Sequence, residues 1–306
     1  MSLKDGDMQQ VGLLGWPVAH SISPAMFNAA FESLGMNWRY TAFAVAPDQL
    51  KQTLHDLQRQ GVRGLNVTVP HKQAVIPFVD VLHTEAKAVG AVNTITFTNS
   101  DGTVKLHGTN TDIEGFRADL VAFLDMDETR PLRALVLGSG GSARAATYVL
   151  AQLGYQITVV ARNPNRALEL IRDVQIGFAT PARAVPADIT STQWRMKMVA
   201  VPWDRLGQVS PRADLIVNCT PVGMWPQDHE SPWPNHVPIP ATAMVYDMVY
   251  RPAKTRLIRQ AEAAGSRAIG GLGMLVKQGA AAFRLWTGKE PPLDVMMQAA
   301  QKALDL

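Results

Sequence analysis

The chain has 306 residues, of which 47% are hydrophobic, and that is enough for about two domains with separate cores. A net charge of +3 without any run of Lys and Arg argues against a nucleic-acid partner but permits an anionic ligand. The one cysteine excludes an internal disulfide, the polar N-terminus is unlike a signal peptide, and no apolar run could span a bilayer. These features predict a cytoplasmic protein without a membrane partner.

The first hundred residues alternate predicted strands and helices. Val11–Leu14 and Trp38–Val45 are apolar enough for buried strands. Between them, Ser23 offers a capping hydroxyl and Pro24 suits the first position of a helix. Asp48 is expected to cap a second helix with Leu50, Leu54 and Leu57 on one side. Alternation of this kind predicts a parallel sheet.

A third strand enters the segment NVTVPHK, residues 66–72. Asn66 and Thr68 alternate with valines, as in a strand with one apolar and one polar face, and Pro70 ends the strand because it has no N–H to donate. Lys72 therefore lies just past a strand end, where loops on a rigid scaffold often carry chemistry. An ordinary solvated lysine is the simpler interpretation of this position taken alone.

Further candidate polar groups follow or precede other elements. GAVNTITF and LHGTNTD predict two strands around a TNSDGT turn, and the second brings Asp112 to a helix start. A protonated lysine beside a carboxylate can give a proton to a developing alkoxide, so Lys72 and Asp112 are a candidate acid–base pair. Asp112 could also simply cap the helix that begins at Ile113. Ser21 and Ser23 flank an earlier helix start, which suits a substrate carboxylate, although each is more often only a cap.

The second half opens with a dinucleotide-binding pattern. The predicted strand Arg133–Leu137 leads into GSGGSARA and then a helix. Gly138, Gly140 and Ala143 occupy the fixed places of G-x-G-x-x-G/A, and the free N–H groups of such a helix suit a pyrophosphate. A plain strand–helix turn is the alternative, but the flanking strand and helix favour nucleotide binding.

The end of the next strand distinguishes NADP from NAD. An NAD site places an acidic residue there, whereas this chain has Ala161 and Arg162. Arg162 and Arg166 are four apart at a helix start, so both guanidinium groups could reach one 2′-phosphate. NADP is therefore favoured over NAD, with two solvated arginines as the alternative.

The remaining sequence is less regular. Segment 175–212 is rich in Pro, Ala and Thr and contains Trp194 and Trp203, and no helix or strand is assigned to it. Segment 224–240 is rich in Pro and Trp and is predicted to be a loop. Cys219 follows an apolar strand and fits a small core residue better than a nucleophile. His20 and His71 are scattered rather than spaced as ligands, so no metal is predicted.

Eight segments in order resemble the shikimate dehydrogenase family, which includes shikimate and quinate dehydrogenases. They are GWPVAHSISP, NVTVPHK, GAVNT, GTNTD, GSGGSARA, NCTPVGM, YDMVY and GGLGMLVKQGAAAF. The resemblance runs from about Val11 to Gly288 and so covers nearly the whole chain. Family members reduce 3-dehydroshikimate to shikimate with NADPH, reversibly, in the shikimate pathway of aromatic amino acid biosynthesis.

This resemblance implies an α/β fold with two domains. Residues 1–111 and 271–306 would form a substrate-binding and catalytic domain with a mostly parallel sheet, to which the C-terminal helices return. Residues 112–270 would form an NADP-binding Rossmann domain. The implied partner is a small-molecule substrate, and the implied assembly is a monomer or homodimer.

The same resemblance assigns site residues one by one. Lys72 and Asp112 match the catalytic pair. The substrate would contact Ser21, Ser23, Thr68, Asn93, Tyr250 and Gln278. NADP would contact Gly138, Gly140, Gly141, Ser142, Ala143, Arg162, Arg166, Gly271 and Met274. Two departures are His71, where many relatives have an aromatic residue, and Ala161, where asparagine is common.

Two other functions fit many of these residues. A quinate/shikimate dehydrogenase paralogue using NAD would need room for one more hydroxyl near Ser23, where relatives that use quinate often have threonine. A non-catalytic dinucleotide-binding sensor would keep the fold but would not need both Lys72 and Asp112. The sequence therefore favours an NADP-dependent shikimate dehydrogenase.

Overall fold

The computed structural model describes residues 8–100, 102–124, 132–179 and 197–305. They divide into two compact units. Unit 1 takes the described residues of Met1–Lys87, Ala91–Gly115 and Val276–Leu306, and unit 2 takes those of Ala88–Gly90 and Phe116–Leu275. The domain limits predicted after residue 111 and before residue 271 lie a few residues from these divisions, and they stay predictions.

The secondary structure of the described residues consists of short strands and mostly short helices. The strands are β1 (Gln9–Gly15), β2 (Trp38–Ala44), β3 (Gly64–Val67), β4 (Val81–Leu82), β5 (Thr94–Ser100), β6 (Thr103–Thr109), β7 (Arg133–Leu137), β8 (Gln156–Ala161), β9 (Met198–Pro202), β10 (Leu215–Asn218), β11 (Met244–Asp247) and β12 (Ala268–Gly270). The helices are α1 (Ser23–Ser33), α2 (Leu50–Arg59), α3 (His71–Ala74), α4 (Thr84–Val89), α5 (Asp112–Phe123), α6 (Gly141–Gln152), α7 (Pro164–Ala179), α8 (Leu206–Val209), α9 (Arg256–Ala263), α10 (Leu272–Thr287) and α11 (Leu293–Leu304). None of the described helices is both long and apolar enough to cross a membrane.

Unit 1 contains a six-stranded sheet with the order β2-β1-β3-β5-β6-β4. Its strand pairs are parallel except those that β5 forms with β3 and β6, so the prediction of a mostly parallel sheet is confirmed. The stricter expectation from strand–helix alternation is wrong at β5. This strand pairs directly with β6, with no helix between them, and the register from Thr94↔Thr109 to Ser100↔Thr103 is that of a hairpin.

Helices cover both faces of this sheet. On one face, α2 buries three leucines against the strands, as predicted: Leu50, Leu54 and Leu57. The predicted cap at Asp48 is wrong, because the helix begins after Gln49 without a side-chain cap. On the other face, Trp286 of α10 lies over Gly64 and donates a hydrogen bond from Nε1 to the carbonyl oxygen of Ile95, 3.1 Å away. A Cβ at Gly64 would overlap the Trp286 ring, so only glycine permits this approach. The C-terminal helices thus pack on unit 1.

Unit 2 contains a six-stranded sheet with the order β12-β11-β10-β7-β8-β9, and every pair is parallel. Strands β7, β10 and β11 are almost completely buried, as expected for a parallel sheet between helices. Their order, with β7 and β8 around the glycine-rich turn, is the predicted Rossmann-type arrangement.

The predicted irregular segments of unit 2 are only partly irregular. Segment 175–212 contains the end of α7, the edge strand β9 and the short helix α8. Val199 of β9 is exposed, and this weak apolar pattern explains why the strand was missed. Residues 180–196 of that segment lie outside the described residues. Segment 224–240 has no helix or strand, as predicted, and its Trp233 is buried in the core of unit 2.

Candidate active site

Lys72 and Asp112 are in direct contact within unit 1. The distance from Lys72 Nζ to Asp112 Oδ2 is 2.5 Å, and their side chains are only 12% and 6% exposed. Lys72 lies in α3 just after β3, and Asp112 begins α5 just after β6. Both strands flank β5 and run in the same direction, so their carboxyl ends meet at one edge of the sheet. Two charges buried this far are tolerated because they are paired.

Asn93 holds the carboxylate from a third segment. Its Nδ2 donates to Asp112 Oδ1 at 2.8 Å and to Thr111 Oγ1 at 2.9 Å. Its Oδ1 accepts a hydrogen bond from the Thr111 amide at 2.6 Å. Each oxygen of the Asp112 carboxylate therefore has a fixed partner, Lys72 on one side and Asn93 on the other. This arrangement fixes the position of the ammonium group.

A row of buried polar side chains behind Asn93 was not predicted. Thr94 Oγ1 donates to Asn93 Oδ1 at 3.1 Å and accepts from Asn66 Nδ2, also at 3.1 Å. The Asn66 side-chain oxygen accepts from the Tyr40 hydroxyl at 2.9 Å. The polar face predicted for the Asn66 strand thus faces other buried polar groups. The sign of this buried row in the sequence was the polar side of the strand that contains Asn66.

Four further predicted substrate residues lie around the same sheet edge. The Thr68 amide donates to the carbonyl oxygen of Leu14 at 2.9 Å, at the end of β1. Ser21 lies in the loop after β1, and its hydroxyl accepts from the Ser23 amide at 3.2 Å. The prediction that Ser23 caps α1 through its own side chain is therefore wrong: Ser23 is the first residue of the helix, Ile22 is at the N-cap position, and the hydroxyl at the helix start comes from Ser21. The side-chain oxygen of Gln278, in α10, accepts hydrogen bonds of 3.4 Å from both Asn93 and Thr111.

His71 has a supporting position beside Lys72. It is fully buried, and its Nε2 donates to the carbonyl oxygen of Val45 at 2.7 Å. The Lys72 carbonyl oxygen accepts from the Val92 amide at 2.7 Å. The backbone around Lys72 is thereby tied to two other segments of unit 1. This contact gives the unusual histidine a packing role.

In unit 2, the glycine-rich turn joins β7 to α6. Gly138 has φ +105°, which favours glycine, and Gly140 precedes α6 in an extended conformation without any side-chain cap. Among the residues that the structure describes, none has an atom within 4 Å of the position a Gly140 Cβ would take. Ala143 is fully buried, as expected where the helix packs closely against the sheet. An open space before an uncapped helix of 12 residues fits a pyrophosphate.

The two arginines lie at the end of the neighbouring strand. Arg162 follows β8 directly, and Arg166 is in the first turn of α7. Both are exposed. Asn163 lies between them, and its side-chain oxygen accepts hydrogen bonds from the amides of Asn165 at 3.0 Å and Arg166 at 3.4 Å. Asn163 therefore fixes the start of α7, next to Arg162 and within one turn of Arg166.

Gly271 and Met274 lie where β12 meets α10. A Cβ at Gly271 would overlap the carbonyl oxygen of Met248, so the turn requires glycine. Met274 is buried.

Unit 2 also contains a buried tyrosine–carboxylate contact. Tyr246 donates a hydrogen bond of 2.6 Å to Asp119, and burial together with this carboxylate raises the pKa of Tyr246.

Tyr250 differs from the other predicted substrate residues. It follows β11 and belongs to unit 2, whereas the rest of that set belongs to unit 1. Its side chain is partly buried.

A glycine-rich turn on an all-parallel sheet is typical of dinucleotide-binding domains, and a buried lysine–carboxylate pair suits proton transfer. The two features together define the class of dinucleotide-dependent dehydrogenases. Family models agree: the shikimate dehydrogenase substrate binding domain matches residues 13–95, and the shikimate 5′-dehydrogenase C-terminal domain matches residues 271–301. A shikimate dehydrogenase (NADP(+)) from Methanopyrus kandleri is 40% identical over 301 residues, which cover 98% of this chain and 97% of the relative. The chain therefore belongs to the shikimate dehydrogenase family.

Solved structures of relatives have the same fold. Shikimate 5-dehydrogenase from Thermus thermophilus, in complex with NADP(H) and shikimate, is 37% identical with a TM-score of 0.77 over 97% of this chain and 100% of that one. Quinate dehydrogenase from Corynebacterium glutamicum, in complex with NAD, is 28% identical with a TM-score of 0.80 over 97% of this chain and 99% of that one.

Proposed function

We propose that this protein is an NADP-dependent shikimate dehydrogenase that reversibly reduces 3-dehydroshikimate to shikimate. The observation that carries the proposal is the buried contact between Lys72 Nζ and Asp112 Oδ2 at 2.5 Å. The Methanopyrus kandleri relative carries this name, and the Thermus thermophilus relative binds both ligands. The predicted cytoplasmic location and oligomeric state stay predictions.

Lys72 is the proton donor in this proposal. The Asp112 carboxylate balances the ammonium charge and fixes its position, and Asn93 fixes the carboxylate. When bound, reduced NADP supplies the hydride. Lys72 Nζ gives its proton to the ring oxygen that gains charge during reduction, and it takes the proton back in the reverse direction.

Substrate binding would use the polar groups around the same edge. A hydroxyl that accepts one hydrogen bond still has its own hydrogen to donate, so Ser21 can cap α1 and still bind a carboxylate. Ser23, at the start of the same helix, would add a second hydroxyl. Thr68 and Gln278 would contact ring hydroxyls. Asn93 already bonds Asp112 and Thr111, so its main contribution would be to orient the pair.

Two groups of residues in unit 2 would hold the cofactor. Gly138, Gly140, Gly141, Ser142 and Ala143 would surround the pyrophosphate, and Gly271 and Met274 would lie by the nicotinamide. Arg162 and Arg166 would bind the 2′-phosphate, since guanidinium groups match phosphate geometry. An NAD site would place an acidic residue at the end of β8 for the ribose hydroxyls, and this chain has Ala161 and Arg162 there, which supports NADP as the cofactor.

A quinate dehydrogenase using NAD is the second candidate, because such a protein from Corynebacterium glutamicum has the same fold. A two-by-two assay separates the candidates: shikimate and quinate, each with NADP and NAD. We expect shikimate with NADP to have the highest kcat/KM, by at least about tenfold over each single exchange. A tenfold preference for quinate or for NAD would contradict the proposal.

A further inference from the structure

Asp247 is a buried carboxylate that the proposed chemistry does not use. It ends β11 and is fully buried. Its Oδ1 accepts from Asn218 Nδ2 at 2.8 Å and from the Val249 amide at 3.1 Å. Its Oδ2 accepts from Thr255 Oγ1 at 2.6 Å. Burial raises the pKa of Asp247 to about 6, because the ionised carboxylate is costly to bury and these three hydrogen bonds offset only part of that cost.

Part of the role of Asp247 is local, because its partner Thr255 caps α9. The Thr255 hydroxyl accepts from the Ile258 amide at 3.2 Å while it donates to Asp247. A threonine can cap a helix without any help from a buried carboxylate. The two hydrogen bonds at Oδ1 need a separate explanation.

The first Oδ1 partner leads to the glycine-rich turn. Asn218 uses its Nδ2 for Asp247, which leaves its side-chain oxygen facing Thr220. That oxygen accepts from the Thr220 amide at 2.9 Å and from Thr220 Oγ1 at 2.7 Å. A Cβ at Gly138 would lie 3.1 Å from Thr220 Cγ2, so Thr220 packs against the turn itself. Asp247 thus fixes the amide orientation of Asn218, and Asn218 fixes Thr220.

The second Oδ1 partner leads to the other end of the cofactor site. The Val249 amide is held by Asp247, and the Val249 carbonyl oxygen accepts from the Gly271 amide at 3.1 Å. Gly271 also packs against the backbone of Met248 so closely that no side chain fits. Asp247 therefore fixes Val249, one of the two residues on which Gly271 rests.

We propose that Asp247 is a positioning residue of the dinucleotide site, which holds Thr220 against Gly138 and Val249 against Gly271 at the same time. It acts through these residues and touches no ligand itself. The inference rests on the proposed NADP function, because both ends that it fixes belong to the proposed cofactor site.

Asp247→Ala tests the proposal, with Asp214→Ala as the matched control. Asp214 directly precedes β10, so it lies at the amino ends of the strands of the same sheet, whereas Asp247 lies at their carboxyl ends. The Asp214 carboxylate accepts a hydrogen bond from the Arg133 amide at 2.8 Å. Thr255→Val removes the Oδ2 bond while both Oδ1 bonds remain. Thr220→Val keeps the side-chain shape but loses the hydroxyl bond to Asn218. Each variant is measured for the NADP dissociation constant by calorimetry, for KM of NADP and shikimate, and for thermal unfolding.

We expect Asp247→Ala to weaken NADP binding by at least about tenfold, with KM for shikimate within about twofold of wild type. Asp214→Ala and Thr255→Val should unfold at lower temperature yet keep NADP binding within about twofold. A folded Asp247→Ala with NADP affinity within twofold of wild type would overturn the proposal, as would an equal loss in Asp214→Ala.

Thr220→Val decides the matter if Asp247→Ala does not fold. A loss of NADP affinity of about threefold or more, with unchanged thermal unfolding, supports the proposal, and a smaller loss contradicts it. A wild-type protein that fails to bind NADP at all would overturn the proposed function and this inference together. Normal wild-type binding with unchanged variants would overturn this inference alone.

Discussion

The two units form their proposed sites in opposite ways at the carboxyl ends of their strands. In unit 1 the site consists of side chains, with Lys72, Asp112 and Asn93 brought together from three segments and buried by pairing. In unit 2 the parts proposed for the pyrophosphate and the nicotinamide consist mainly of backbone: Gly138 has φ +105°, Gly140 has open space beside it, and Gly271 has no room for a side chain. Removing a side-chain group in unit 1 should therefore lower the rate of catalysis. Adding a side-chain group at a glycine of unit 2 should instead lower stability or weaken NADP binding.

Asp112→Asn should have the largest effect. An amide cannot balance the Lys72 ammonium, and its NH2 group would face that charge, so we expect kcat to fall by about 100-fold or more. NADP affinity should stay within about threefold, because unit 2 is unchanged. Asp80→Asn is the control, since Asp80 is a unit 1 carboxylate that accepts a hydrogen bond from the Leu106 amide at 2.7 Å. A loss of less than tenfold in kcat for Asp112→Asn would contradict the proposed pair.

The pH dependence of stability should reveal the buried Asp247. Burial raises its pKa to about 6, so the folded protein binds this proton more tightly than the unfolded chain does. Its contribution is fully present below about pH 4 and is lost as the pH rises through about 6.

Relative to Asp247→Asn, the wild-type free energy of unfolding should therefore fall by roughly 3 kcal/mol between pH 4 and pH 7.5. Denaturant unfolding of both proteins across this range measures the difference, and other titrating groups cancel in the comparison. A difference that does not change with pH, or that rises with pH, would show that Asp247 is not held in this way.

Two glycine substitutions test the backbone-built site. Gly271→Ala should lower the free energy of unfolding by about 3 kcal/mol, because its methyl group would overlap the Met248 backbone. Gly140→Ala has open space and should cost about 1 kcal/mol or less. It should nevertheless weaken NADP binding, since the methyl group would occupy the space proposed for the pyrophosphate. Equal stabilities, or unchanged NADP binding in Gly140→Ala, would contradict the comparison between the units.

Arg162→Ala should have a smaller, selective effect. We expect NADP binding to weaken by about tenfold and NAD binding by less than about twofold, because only NADP carries the 2′-phosphate. Arg172→Ala is the matched control, since Arg172 is an exposed arginine further along α7. Equal losses for the two cofactors would argue against a phosphate site at Arg162.

The sequence predicted those features that are local in the chain. The glycine-rich turn, the flanking β7 and α6, and the leucine face of α2 are each encoded by neighbouring residues, so periodicity and turn residues were sufficient. The edge strand β9 was missed because exposure weakens its apolar pattern. Thr94 and Asp247 were missed because partners of each, such as Asn66 and Asn218, come from distant segments.

The cap of α1 shows the same limit at short range. Ser21 and Ser23 are both plausible caps in the sequence, and only the backbone path decides between them. The contact between Lys72 and Asp112 was anticipated from two strand ends, but the orientation provided by Asn93 depends on β5 running antiparallel to β3 and β6. Pairing direction is a property of the folded sheet.

The proton-donor role of Lys72 is the central claim, and Lys72→Ala tests it most directly. Steady-state turnover of shikimate with NADP is measured beside the NADP dissociation constant, with the exposed Lys105→Ala of unit 1 as control. We predict that turnover falls by about 100-fold or more in Lys72→Ala while NADP affinity stays within about threefold, and that Lys105→Ala resembles wild type. Turnover in Lys72→Ala close to that of wild type would contradict the account.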